Sequence, residues 1–515
     1  MLLRSIRRNL AAAARHFSGQ AAATVSERPV NSGREVTRKG GGGDTLGRRL
    51  FSLAYAKRSA VIAIQKWKSE GHSVQKYQLN RIVRELRKLK RYKHALEVCE
   101  WMTQEREIKL LPGDYAVHLD LIAKVRGLNS AEKFFEDLPD EMRGWHTCTA
   151  LLHTYVQFKL LSKAEALMEK MAECGFMKNP LPYNHMLTLY VANEQFEKIP
   201  GIIKELKKNT SPDVVTYNLW LRVCASQNDI KTAKEVLLEL KKAKIDPDWI
   251  TYSTLSNLYI KNELLEDAAS TLKEMEKRAW RKNRLAYSSL LSLHTSMGNK
   301  DGLHRIWNKM KSLFRKMNDA EYICMISSLV KLEEIEKAEK LYSEWESVSG
   351  TCDPQVSNIL LAAYINRNRM EEAEKFQQRM VQKGIRPCYT TWELLTWGHL
   401  KDKQMENVLD YFKKAISSVK KWSLDKRLVG EIFKNLEERG DVEGAEEFLV
   451  MLRNAGHVST EIYNSLLRTY AKAGVMPLII AERMGKDNVE LNEETHRLIQ
   501  TTSNMCVSEV SSFVS

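Results

Sequence analysis

Apolar residues recur along this chain at helical spacing, and the whole pattern returns about every 35 residues. Tyr183, Tyr217, Tyr252, Tyr287 and Tyr322 stand 34, 35, 35 and 35 residues apart. Each opens a short apolar run such as Tyr217-Asn218-Leu219-Trp220-Leu221. Further on, a small residue is followed four and seven positions later by apolar ones: Ala164/Met168/Met171, Ala233/Leu237/Leu240, Ala268/Leu272/Met275 and Ala445/Leu449/Leu452. That spacing puts three side chains on one helical face, and the alanine lets a second helix come close. Pro212 and Pro247, 35 residues apart, precede successive first helices, and Pro354 and Pro387 fall in matching turns. Proline costs little where one helix has ended and the next has not begun. One hairpin of this size cannot bury its own apolar face, so neighbours must stack. The pattern predicts an all-α, superhelical solenoid of about twelve helix-turn-helix repeats over residues 61–500.

Composition narrows the class without choosing the function. Of 515 residues, 43% are hydrophobic and 28% charged, which excludes a wholly disordered, collagenous or membrane-embedded chain. The net charge of +15 invites a nucleic-acid reading, but its distribution changes that picture. Residues 1–60 hold 12 basic and 3 acidic residues, and residues 61–113 hold 12 and 6, so these two stretches supply the entire surplus. From Asp114 to Ser515 the count is 56 of each sign. A polyanion bound there must be held by local placement of charge and by base contacts.

Arg4, Arg7, Arg8 and Arg15 stand in a leader with no acidic residue before Glu27, the profile of a mitochondrial transit peptide over residues 1–30. A matrix destination is expected rather than a chloroplast. Residues 31–60, with four glycines at 40–43, are expected to form a flexible tether, and residues 501–515 a short tail. The eight cysteines form no Cys-x-x-Cys pair, so they are read as buried, reduced thiols and no metal site is expected.

The stretches Pro212-Asp213-Val214-Val215-Thr216-Tyr217-Asn218 and Ala373 to Met380 resemble the pentatricopeptide repeat (PPR) consensus. The resemblance is to plant-type, P-class members, which carry no editing domain and form right-handed superhelices. Tetratricopeptide repeats, the nearest rival, run to 34 residues with a Trp…Leu-Gly…Tyr signature and usually bind peptides. Resemblance to PPR proteins implies single-stranded organellar RNA as the partner. Each repeat offers one first-helix residue and one end-of-repeat residue to the edge of an unstacked base, with an aliphatic side chain sandwiching the base. In that register the pairs are Thr149/Asn179, Asn184/Asp213, Asn218/Asp248, Ser253/Asn283 and Ser288/Asn318. By the family's preferences they imply an AUUAA-like core, with Leu181, Val215, Ile250 and Leu285 as sandwiching residues. Each of these Asn, Asp and Ser residues also suits a helix N-cap. The register then breaks. Ile323/Asp353 is apolar, Asn358/Cys388 has an unusual partner, Glu393 and Gly430 fit no pairing, and the outermost units around Asn80 and Asn464 vary in length.

The basic run from Arg84 to Lys93 offers Arg84, Arg87, Lys88, Lys90, Arg91 and Lys93 as phosphate contacts, with a solvated helix face as the other reading. Trp280, Trp307, Trp345, Trp392, Trp397 and Trp422 are read as packing between repeats. No His-Glu-x-x-His helix, phosphate loop or nucleophile elbow occurs, so no catalytic residue, cofactor, small-molecule substrate or membrane partner is expected. The expected role is occupancy of mitochondrial RNA in its stability, processing or translation. The alternative is a helical-repeat structural component on the mitochondrial ribosome or another protein scaffold.

Overall fold

The computed structural model describes residues 44–53, 59–278, 283–420 and 422–512, with side chains to residue 503. The expected transit peptide and Trp280 lie outside the described residues. The chain divides into two units, one ending at Arg278 and the other comprising the described residues from Asn283 onward.

In the first unit, two short helices, Leu46–Phe51 and Ala60–Ser69, precede six helical hairpins. These are Lys76–Lys88 with Tyr92–Gln104, Pro112–Arg126 with Leu128–Glu136, Trp145–Gln157 with Leu161–Glu173, Pro180–Ala192 with Ile199–Asn209, Val214–Gln227 with Ile230–Lys242, and Trp249–Lys261 with Leu265–Arg278. The second unit repeats the plan: Arg284–Ser296 with Lys300–Leu313, Asp319–Lys331 with Ile335–Val348, Pro354–Asn366 with Met370–Gln382, Tyr389–Lys401 with Met405–Ser417, Lys426–Arg439 with Val442–Asn454, and Thr460–Ala473 with Ile480–Lys486. A last helix, Glu493–Ser512, follows. The described residues contain no strand. Within each unit most first helices pack on their own second helix and on the first helix of the next hairpin.

The tyrosine beat has a clear physical basis. Tyr183, Tyr217, Tyr252, Tyr287 and Tyr322 are all buried between their hairpin's two helices. Tyr217 and Tyr322 donate their hydroxyls to Glu239 and Glu344 on the second helix, at 3.1 and 3.0 Å. The small residues Ala164, Ala233, Ala268 and Ala445 are fully buried where the helices meet. Of the tryptophans named above, Trp307, Trp345 and Trp422 are buried and Trp392 and Trp397 half-buried. Trp345 is fully buried with its indole N–H on Asp319 at 2.8 Å, and Trp422 donates to the Tyr389 hydroxyl at 3.1 Å.

Three sequence expectations differ from the structure. Residues 46–51 of the proposed tether form a helix because Leu46 and Leu50 have a core to enter. The last helix runs through residue 500 to Ser512. Cys174 and Cys352 are exposed, since they lie in the loops between hairpins rather than on a packed helical face.

Each of the twelve hairpins described turns on a residue of positive φ: Lys90, Gly127, Lys159, Glu194, Asn228, Glu263, Gly298, Glu333, Asn368, Lys403, Gly440 and Gly474, the last turn adding Ile479. Only four of these are glycine, so the turn holds side-chain-bearing residues in the left-handed region by hydrogen bonding around it. In the Lys159 turn, for example, Leu160 N–H donates to Tyr155 O at 2.9 Å and Lys159 N–H to Val156 O at 3.1 Å.

One glycine is required by close approach. A Cβ on Gly302 would stand 2.3 Å from Nδ1 of the buried His294, whereas one on Gly201, also within a helix, would meet nothing within 4 Å. Gly302→Ala is therefore expected to lower stability by about 1–3 kcal/mol in chemical denaturation. Gly201→Ala should leave it unchanged or raise it. Equal midpoints for the two variants would disprove the close fit.

Candidate nucleic-acid interface

The end-of-repeat residues sit at the start of the following first helix, and their side chains close it. Asn179 accepts from Leu181 N–H at 2.9 Å, Asp213 from Thr216 at 2.8 Å, and Asp248 from Thr251 at 2.9 Å. Asn283 accepts from Ala286 N–H at 3.2 Å and Asn318 from Glu321 at 3.0 Å. The end-of-repeat residues expected to read bases are thus helix caps. The cap fixes the side chain in one rotamer at the rim of the first helix, where the backbone N–H groups need an acceptor anyway.

The pairs Asn184/Asp213 and Asn218/Asp248 are joined directly. Asn184 donates its Nδ2 to Asp213 Oδ1 at 3.2 Å, and Asn218 donates to Asp248 Oδ1 at 3.1 Å. Behind each asparagine stands a threonine that the sequence reading passed over. Thr216 Oγ1 donates to Asn184 Oδ1 at 2.8 Å and Thr251 Oγ1 to Asn218 Oδ1 at 2.7 Å. Both asparagines are largely buried, with 5% and 7% of their surface exposed. In the other pairs, the Thr149 hydroxyl donates back to Trp145 O at 2.6 Å, and Ser253 and Ser288 are half-buried on their first helices. Ser253 belongs to the first unit and Asn283 to the second.

The same three-residue network recurs where the sequence register was broken or uncertain. Asn358 donates to Cys388 Sγ at 3.5 Å, with Thr391 on its Oδ1 at 2.9 Å. Asn464 donates to Asn492 Oδ1 at 3.2 Å, with Thr495 on its Oδ1 at 2.7 Å. The only sequence signal for these sets was an asparagine at the reader position followed about thirty residues later by a capping residue and a threonine three further on. The intervals 28 and 31 at Asn464, against 30 and 33 at Asn218, hide that signal at the end of the array.

The aliphatic residues Leu181, Val215, Ile250 and Leu285 stand second in their first helices, directly after the first residue beyond the cap. Leu181, Val215 and Ile250 are half-buried and Leu285 is exposed. An apolar flank beside each polar pair suits a flat, apolar-faced ligand edge.

At Glu393 the corresponding position holds a carboxyl group that burial, and secondarily the charge of the capping residue Asp425, push up to about 7. It is far more easily neutralised than a surface glutamate.

The basic run is partly occupied within the fold. Arg87 pairs with the buried Asp120 at 2.9 Å, and Arg91 donates to Phe51 O at 2.8 Å, tying the hairpin to the helix Leu46–Phe51. Lys88 pairs with Glu85 at 2.9 Å. Arg84, Lys88, Lys90 and Lys93 are exposed. Further along this face, burial pushes His185 down to about 3 and also lowers His153, whose ring lies 4.9 Å away. These two imidazoles are neutral at physiological pH and add no positive charge to the face.

Comparison with known proteins matches what the geometry shows. The PPR repeat family model matches residues 212–258, the pentatricopeptide repeat domain model residues 166–224, and the PPR repeat model residues 146–176, 250–279, 322–348 and 356–385. A mitochondrial pentatricopeptide repeat-containing protein of Arabidopsis thaliana is 60% identical over 100% of this chain and 99% of its own length. A second from the same plant, also named mitochondrial, is 34% identical over 86% of this chain and 90% of its own. Among solved structures, the pentatricopeptide repeat protein PPR10 in complex with an 18-nt psaJ RNA element superposes with a TM-score of 0.51 at 16% identity, covering 86% of this chain and 68% of that one. Twelve hairpins on a common beat, a full-length relative at 60% identity and a shared solenoid fold make the chain a plant-type, P-class, mitochondrial member of the pentatricopeptide repeat family.

Proposed function

We propose that this protein binds single-stranded mitochondrial RNA through its first-helix and capping residues and acts by occupying that RNA, without chemistry of its own. The observation that carries the reading is the hydrogen-bonded pair of Asn184 with Asp213 and its repeat, one hairpin on, at Asn218 with Asp248. Such a pair sets a donor and an acceptor side by side beside an apolar flank, once per hairpin, which suits the edge and face of one unstacked base. The solved relative bound to an RNA element supports the same reading. The proposed readers are Thr149/Asn179, Asn184/Asp213, Asn218/Asp248 and Ser288/Asn318, each pair lying within one unit. Arg84, Lys88, Lys90 and Lys93 are the proposed phosphate contacts, while Arg87 and Arg91 contribute mainly to the fold.

Gel shifts with RNA containing AUUAA against a scrambled control test this. The cognate RNA is expected to bind at least tenfold more tightly, since each good base pair of contacts discriminates by about 1–3 kcal/mol. No preference, together with co-sedimentation with a ribosomal subunit, would instead support a structural component of an assembly.

A further inference from the structure

We infer that the threonine three residues after the cap, Thr216 or Thr251 in the two paired slots, is a positioning residue that decides which edge of the reader asparagine meets the base. The inference rests on the base reading proposed above.

A threonine hydroxyl has one proton to give. In the Asn218 slot, Thr251 Oγ1 accepts from Asp248 N–H at 3.2 Å, so its proton is left to find an acceptor. Asn218 Oδ1 stands at 2.7 Å and Asp248 Oδ1 at 3.1 Å, so the asparagine oxygen is the nearer. That bond turns the amide carbonyl back into the protein and its amino group toward Asp248, where one N–H is spent at 3.1 Å. The amino group's second N–H is then available to a ligand in the slot. Rotating the amide by half a turn would set its oxygen against the Asp248 carboxylate and lose that bond, and would turn the threonine from donor to acceptor, leaving its proton to the longer contact with Asp248 Oδ1 at 3.1 Å.

Held this way, the slot presents an amide donor beside a carboxylate acceptor. This arrangement complements a base edge that sets a carbonyl oxygen beside an imino N–H, as in uracil and guanine. Adenine and cytosine place an exocyclic amine opposite the amide N–H, donor against donor. The threonine thus selects the keto edge by fixing a group it touches, without touching the base.

The distribution of threonine along the chain follows this requirement. Asn184, Asn218, Asn358 and Asn464 each have a threonine hydroxyl on their Oδ1. Where the reader is Ser288 or Ile323, the equivalent positions are Glu321 and Val356. Thr147 stands opposite Ala116, which has no amide to hold, and its hydroxyl goes to Met142 O at 2.7 Å and Gly144 O at 3.0 Å. At Asn80 the position is taken by Asp114, which accepts from the asparagine Nδ2 directly at 3.0 Å.

The test uses the full chain and four RNAs that differ only at the third base of AUUAA, the one assigned to Asn218. Thr251→Val keeps the shape and removes the proton. It is expected to reduce discrimination between the keto bases and the amino bases at that position by about tenfold, while discrimination at the second base, assigned to Asn184, stays as in the wild type. Thr251→Ser, which restores the hydroxyl, should restore the discrimination. A Thr251→Val protein that discriminates like the wild type, or that loses affinity equally for all four bases, overturns the inference alone. A wild type indifferent to the base at both positions overturns base reading itself, and the positioning role with it.

Discussion

Asn218→Ser combined with Asp248→Asn is expected to move the preference at the third base of AUUAA from uracil to adenine. The wild-type slot sets an amide N–H beside a carboxylate, both held by the capping bonds of the next helix. The double variant replaces the carboxylate, which can only accept, by a carboxamide that can also donate, so the acceptor nitrogen of adenine gains a partner. The carboxamide can still cap the helix, because asparagine is as good an N-cap as aspartate. The fold should therefore survive, and circular dichroism should show it. With about 1–3 kcal/mol of discrimination per well-made contact, the ratio of the two affinities should change by roughly ten- to a hundredfold or more. Competition binding with the paired RNAs reads this directly. An unchanged ratio in a folded double variant would mean that the slot does not face the base.

The second large effect concerns stability. Glu393 has its carboxyl pushed up to about 7 by burial and by Asp425, against 4.5 for the unperturbed group. Between these two values the unfolded chain has already lost the proton while the folded chain still holds it, so stability falls as pH rises through that window. Below about pH 4.5 Glu393 is neutral in both states and costs nothing. Above about 7 the full cost is present, about 3 kcal/mol. Glu393→Gln keeps the shape without the charge. It should raise the denaturation midpoint clearly at pH 8 and hardly at pH 4, and an equal gain at both would show that ionisation is not the cause.

The fold could be read from the sequence because its determinants are local and repeated. A tyrosine that fills the hairpin and an alanine that admits the second helix recur at a fixed interval, and each signals the same event without reference to distant residues. The site was legible only in part. Asn218 and Asp248 could be named because the family resemblance pairs them, but capping looked like a competing role, and the structure has Asp248 cap the next helix while it stays bonded to Asn218. Thr251 was missed for a physical reason. A threonine in the first turn of a helix has many ordinary uses, and only the folded chain brings its hydroxyl against an amide 33 residues back. The basic run shows the opposite case. Six cations in sequence read as one patch, yet the fold turns Arg87 onto a buried aspartate and Arg91 onto backbone carbonyls, leaving a smaller exposed group.

The left-handed residue in every hairpin turn bears on how such an array comes apart. Eight of the twelve turns hold a lysine, glutamate or asparagine in a backbone region that costs a side-chain-bearing residue roughly 1 kcal/mol or more. Each strained turn is kept closed by its own two helices and by the hairpins stacked on either side. A hairpin in the middle of a unit has two such neighbours, whereas one at the end has a single neighbour holding the same strained reversal shut. Opening should then begin at the outermost hairpins and advance inward one turn at a time, so that from the amino-terminal side fraying and proteolytic nicking reach the Asn184 slot only after the three hairpins before it have been lost.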